Sequence, residues 1–289
     1  MHIMLFNTVL FIALGLVMVL VANSIADRRL KKKHPELIGE ANSIWDSKAF
    51  IIRRAGLYLS VLLGTYAVSK NIGDAAFAAN SIMGSMTLAL MIESLLGLAS
   101  VLVFTFTALH SVDKFILSNV DNDNAVVNNN CAVGLTESAI FIATGLISYG
   151  ALLGEGHIVS AWVFFLIGQA IFILFGYLME YVIHPTHNAK SDIEKGCISS
   201  ALIVSSMLLC VALFVKNGIA GNFYGYSQDI PYFLTMFGLQ FGIFIGYMFF
   251  IEPLIVKAMN LPPRSVASFS TKVALQLGIA VSIVANVSL

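Results

Sequence analysis

Charge is scarce in this sequence. Only 11% of its 289 residues are Asp, Glu, Lys or Arg, less than half of the roughly 25% found in soluble domains. That shortage excludes a solvated globular fold. What charge there is cancels, with 16 basic and 16 acidic residues, so nothing marks a nucleic-acid partner. Cysteine is sparse as well: Cys131, Cys197 and Cys210 are too few and too scattered for a disulfide framework or a paired-Cys metal site. There is no Ser–His–acid set, no phosphate loop and no HExxH pattern, hence no positive sign of catalysis. We therefore expect neither an enzyme nor a bound cofactor. Asp121-Asn122-Asp123-Asn124 fails as a calcium loop, because positions six and twelve fall on Val126 and Ala132 instead of Gly and Glu. It reads as a solvated, helix-capping loop. His184 and His187 are broken by Pro185 and lack a third ligand, which argues against a metal. Alternating ten-residue segments are also missing, excluding a barrel.

What is abundant is apolar sequence, 58% of the chain. Stretches near or above the ~20 residues that span a bilayer fall at about 4–23, 52–70, 78–109, 131–153, 158–183, 197–216, 231–256 and 271–288. Each is expected to be a helix, since lipid leaves an open strand edge unsatisfied. The fold class is all-α: a polytopic membrane bundle of eight transmembrane helices. Fourteen of the sixteen Lys and Arg residues lie at one set of loops, and only Lys70 and Lys216 lie at the other. Basic loops stay in the cytoplasm, so both termini are expected outside. Span 1 has its positive flank, Arg28 to Lys33, after the apolar run, and reads as an uncleaved helix rather than a secretory signal. Between spans 1 and 2, residues 35–44 suggest a short amphipathic helix on the membrane surface.

One device recurs four times. A polar lead-in runs into a small-residue helix, with lead-ins Asp46-Ser47-Lys48-Ala49, Asn128-Asn129-Asn130-Cys131, Glu194-Lys195-Gly196-Cys197 and Arg264-Ser265-Val266-Ala267. Taking Lys48, Asn130, Gly196 and Ser265 as equivalent, the steps are 82, 66 and 69 residues. Repeats on this scale decide architecture. Each contains two spans and returns to the side where it began, so halves 1–153 and 158–289 are expected to be parallel, pseudo-symmetric four-helix units. Spans 3, 5 and 7 read as long, about 26–32 residues, and spans 2, 4, 6 and 8 as short, about 18–23.

The lead-ins Asn128-Asn129-Asn130-Cys131-Ala132-Val133-Gly134 and Asp192-Ile193-Glu194-Lys195-Gly196-Cys197-Ile198-Ser199-Ser200-Ala201 carry a resemblance. The pattern is similar to the bacterial inner-membrane family catalogued as domain of unknown function 350, here as two tandem copies. Lys48-Ala49-Phe50 and Ser265-Val266-Ala267-Ser268 depart from it. The resemblance implies a four-helix unit with two lead-ins and a bacterial inner-membrane location. It implies no activity.

Ionisable and amide groups within spans are the site candidates, because a charge at the bilayer centre costs a few kcal/mol or more. Glu93, Gln169 and Gln240 fall at matching places in spans 3, 5 and 7 and are expected to form a polar layer, whether as interhelical hydrogen bonds or as part of an ion path. Glu180 and Glu252, near the inner ends of spans 5 and 7, are expected to pair with Lys190, Lys195, Lys257 or Lys272. Glu137 and Lys272 each lie seven residues after their lead-in residue, with Arg53 or Arg54 and Ile203 at about that place in the other repeats. This reads as a charge-balanced ring of structural pairs. Two functions stay open. One is an ion or small-solute channel or transporter through the polar layer. The other is a non-transporting membrane subunit whose small residues, among them Gly56, Gly134, Gly145, Ala274 and Gly278, pack against another copy or a membrane or cytoplasmic protein.

Overall fold

Small polar side chains at the edges of apolar runs set where the helices begin. In the computed structural model, which describes residues 2–35, 46–79, 87–111, 121–153, 156–182, 189–260 and 266–287, Ser47 accepts a hydrogen bond from the Phe50 amide at 3.3 Å. That caps helix α2 (Lys48–Ala78). Asn130 does the same for α5 (Cys131–Leu153), its Oδ1 accepting from the amides of Ala132 and Val133 at 3.1 and 3.2 Å. Such caps satisfy amides that the first helical turn leaves without a partner.

Just before the caps, one-turn helices end in the same way. In α4 (Asn122–Val127) the Asn129 amide reaches Val126 and the Asn130 amide reaches Ala125, at 3.1 and 2.9 Å. In α7 (Ala189–Glu194) the Gly196 amide reaches Ile193 and the Cys197 amide reaches Asp192, at 3.0 and 2.9 Å. This paired pattern requires a left-handed residue after the helix. Asn129 (φ 61°) and Gly196 (φ 85°) supply it. The geometry corrects the register of the repeats. Gly196 matches Asn129, and the capping positions are Ser47, Asn130 and Cys197, so Lys48 and Gly196 each sit one residue off. Ser265 and the surface helix expected at 35–44 lie outside the described residues.

The remaining elements are α1 (His2–Lys33), α3 (Leu88–Ser111), α6 (Ile158–Val182), α8 (Ile198–Ile219), α9 (Tyr226–Gly246), a π-helical turn (Tyr247–Ile251), α10 (Glu252–Ala258) and α11 (Val266–Asn286). Among the described residues eight helices are long and apolar enough to cross a membrane, with α9 running through the π turn and α10 as one span of 33 residues. Span lengths do not alternate in the first half. Helix α2 has 31 residues and α3 has 24, because residues 71–76, between the expected spans 52–70 and 78–109, are helical. Asn71 holds that turn by donating to the Leu152 carbonyl at 2.8 Å, and nothing in Lys70-Asn71-Ile72-Gly73-Asp74 breaks a helix.

Helices α2, α5, α8 and α11 stand side by side in a row, and α5 is the most enclosed of the spans. Helix α1 packs on α2, while α3, α6 and α9 lie over the successive junctions of the row. Backbones in the row come close because glycines face them. A side chain on Gly134 would meet Ala49 backbone atoms at 2.6 Å, and one on Gly145 would meet Ser60 Cα at 2.6 Å. Between the halves, a side chain on Gly150 of α5 would meet the Lys216 carbonyl of α8 at 2.8 Å. In the second layer aromatic rings do the packing: Phe104 of α3 stacks on Phe165 of α6 at 3.7 Å, and Phe175 of α6 meets Phe241 of α9 at 4.4 Å. The two halves thus share one interior, as an open double row.

Candidate functional site: the charged ends of the row

At the basic ends of the spans the charges meet in pairs. The buried Arg54 of α2 bonds Asp27 of α1 through Nη2. Asp27 also accepts from Asn23 at 2.9 Å, and Asn23 in turn accepts from Tyr58 at 2.7 Å. Arg53 bridges two acids: its Nη1 lies 2.7 Å from Asp123 of α4 and its Nε 3.1 Å from Glu137 of α5. Lys33, the last residue of α1, reaches the other Asp123 oxygen at 2.8 Å. Burial alone would push the Asp123 carboxyl up, but the charges and hydrogen bonds of Arg53 and Lys33 hold it well below the usual carboxylate range. Glu137 is fully buried, a placement tolerated only beside a cation.

A second cluster ties α8, α10 and α11. Glu252, 5% exposed, accepts from Gln276 at 2.9 Å and lies 3.7 Å from Lys272. Ser206 of α8 donates to Gln276 Oε1 at 2.7 Å. The π turn sets this up: the Glu252 amide bonds the carbonyl of Tyr247, five residues back. The Tyr247 hydroxyl is buried there with no hydrogen-bond partner. Such turns are frequent at functional sites.

Counted from the first residue of each row helix, Arg54, Glu137, Val204 and Lys272 all occupy position seven. They stand at one depth along an open row, so the expected ring does not form and Ile203 gives way to Val204. Arg54 takes that position, yet Arg53 is the residue that meets Glu137. Glu137 and Lys272 sit in α5 and α11, which flank α8 on opposite sides, and they bind separate partners. The two ends of the row repeat one arrangement, a cation at position seven facing a carboxylate on the preceding long helix: Arg54 with Asp27, and Lys272 with Glu252. The Glu180 side chain lies outside the described residues.

The expected polar layer is absent. Trp162 of α6 donates to Ser100 of α3 at 2.9 Å, which sets the register of those helices. Glu93 lies seven residues before Ser100, about 10 Å nearer the start of α3. It is exposed and lines a cleft with Leu152, Gly156 and Ile158, level with the end of α5 and the start of α6. Gln169 is buried in α6, while Gln240 of α9 donates to the Val287 carbonyl beside α11 at 3.2 Å. The three residues do not converge.

Sequence reasoning passed over Asp27, Asp123, Ser206 and Gln276. Two had signals: Asn23 and Asp27, and Lys272 and Gln276, are each four apart on one helix face. Asp123 was hidden in a run that does cap a helix, through Asp121. Only the tertiary contact with Arg53 separates the two acids. Among the described residues no group of three or more His, Cys, Asp or Glu could hold a metal ion.

Comparison with known families gives one result. The model of the family described as Domain of Unknown Function (DUF350) matches residues 2–152 and again 153–287. No curated protein and no solved structure matches the chain.

Proposed function

We propose, from the premise that this chain belongs to the DUF350 family as two tandem copies, that it is a non-enzymatic assembly subunit of the bacterial inner membrane. It works by pairing with a second copy of itself, with its basic helix ends in the cytoplasm and both termini outside. The observation that carries this reading is the unused face of α11. Positions nine and thirteen of α2, Gly56 and Ser60, pack on α5. In α5 they are Ala139 and Ala143, both buried. In α8 they are Ser206 and Cys210, which bond Gln276 of α11. In α11 they are Ala274 and Gly278, both exposed, and a side chain on Gly278 would meet nothing within 4 Å. The interface used three times in the row is presented once more, without a partner among the described residues.

A head-to-tail row of copies is disfavoured at the other end. There α2 offers the bulky Ile51 where α5 has Gly134, and Leu62 is already held against Gly15 of α1. Two α11 helices related by an axis along the membrane normal close a dimer, with Ala274, Gly278 and Ser282 at small-residue spacing. In a chain whose native cysteines are replaced, Gly278→Cys should cross-link to a dimer in membranes under mild oxidation. Phe250→Cys, on an exposed face of the π turn, should not. Equal cross-linking at both positions, or none at Gly278→Cys, overturns the reading.

A second reading, ion permeation, rests on the buried Glu252 and the partnerless Tyr247 hydroxyl at the π turn. If it holds, Glu252→Gln alters cation or proton flux in liposomes; flux no greater than in protein-free vesicles ends it.

A further inference from the structure

One buried donor in the charged network has nothing to bind. Arg54 is 4% exposed, and while its Nη2 is taken by Asp27, its Nη1 has no hydrogen-bond partner. An unsatisfied donor on a buried cation is costly, about 1–3 kcal/mol or more. The guanidinium lies over the Phe50 ring at 4.8 Å, which orients it without supplying an acceptor. Arg54 lines a cleft between α1, α2, α3, α4 and α5. The polar lining is Arg29, Arg53, Arg54 and Asp123, and the rest is apolar, with Leu30, Leu57 and Phe141 among it.

We propose that this cleft binds a phosphate-type anion, with Arg54 Nη1 as the central donor. The chemistry of the walls decides the class. The group left over is a donor, so it calls for an acceptor. Asp27, Asp123 and Glu137 already engage Arg54 and Arg53, so the open valence is the Arg54 Nη1 donor, and Arg forks match phosphate oxygens. A half-apolar wall at the basic end of membrane helices suits the headgroup and first acyl carbons of an anionic phospholipid, as in other basic pockets between spans. Free phosphate shares the polar chemistry but not the apolar walls.

The test uses the full chain in detergent, with phosphatidylglycerol, phosphatidylcholine and inorganic phosphate as probes. Binding is read by native mass spectrometry and by the shift in melting temperature. Arg54→Lys keeps a cation for Asp27 but removes the second nitrogen. Ala26→Phe fills the apolar side of the cleft without touching a charge. The lipid form predicts that phosphatidylglycerol binds at one site in preference to phosphatidylcholine, that Arg54→Lys weakens it about tenfold, and that Ala26→Phe weakens it too. Stabilisation by inorganic phosphate that Arg54→Lys abolishes supports the anion site with free phosphate as its source. Binding of neither anion above phosphatidylcholine, or anion binding unchanged in both variants, overturns the proposal. Melting of the unliganded variants near wild type shows that any loss is not misfolding.

Discussion

Asp123 shows how a residue that looks solvated in sequence becomes structural. Its carboxylate ties the end of α1, through Lys33, to α2, through Arg53. Because its folded pKa is depressed, its contribution is fully present above the unfolded value, near pH 4, and is lost as pH falls toward the folded one. Asp123→Asn should therefore lower stability at pH 7 by about 2 kcal/mol. The gap to wild type should narrow as pH drops from about 5 to 3, which thermal melting in detergent across that range would show. A gap independent of pH would mean that packing, and not charge, sets the effect. Glu137 was legible as a buried acid needing a cation, but which of two adjacent arginines serves it depends on helix rotation.

Among the helices, the row is held by backbone approach and the second layer by rings. Gly134→Ala puts a Cβ 2.6 Å from the Ala49 carbonyl oxygen, so α2 and α5 must separate, at a cost of about 1–3 kcal/mol. Gly242→Ala on α9 meets nothing within 4 Å and should leave the melting temperature unchanged or slightly raised. Equal destabilisation of the two would show that helix propensity, not contact, dominates. Two of the lead-ins were readable because Ser47 and Asn130 cap their helices locally. The register slipped by one at Gly196 because the left-handed residue and the capping position are adjacent there, as at Asn129 and Asn130. The start of α3 was misplaced for a different reason. Hydropathy does not mark where an apolar helix ends when the next apolar segment follows at once.

Across the whole molecule, a linear repeat leaves two ends, and the ends differ. Helix α1 covers part of α2 and pairs with it through Asp27 and Arg54, while α11 keeps a small-residue face open. If that face closes a dimer, light scattering in mild detergent should give twice the 31.2 kDa chain mass. Gly278→Trp should return the monomer with its melting behaviour preserved. A wild-type monomer at all concentrations would count against assembly.

The amino-acid sequence alone determined the membrane class, the eight helices, the fourfold repeat and the pairing of buried acids with nearby bases. Each follows from local physics: apolar length, capping chemistry and the cost of an unpaired charge in lipid. The tertiary structure alone decided that the repeats form an open row instead of a ring. It also placed Glu93 near the start of α3, level with the end of α5, and left Arg54 Nη1 and the α11 face without partners among the described residues. Those outcomes depend on how far each helix rotates and slides against the next, which glycine contacts between distant parts of the chain decide and hydropathy does not record.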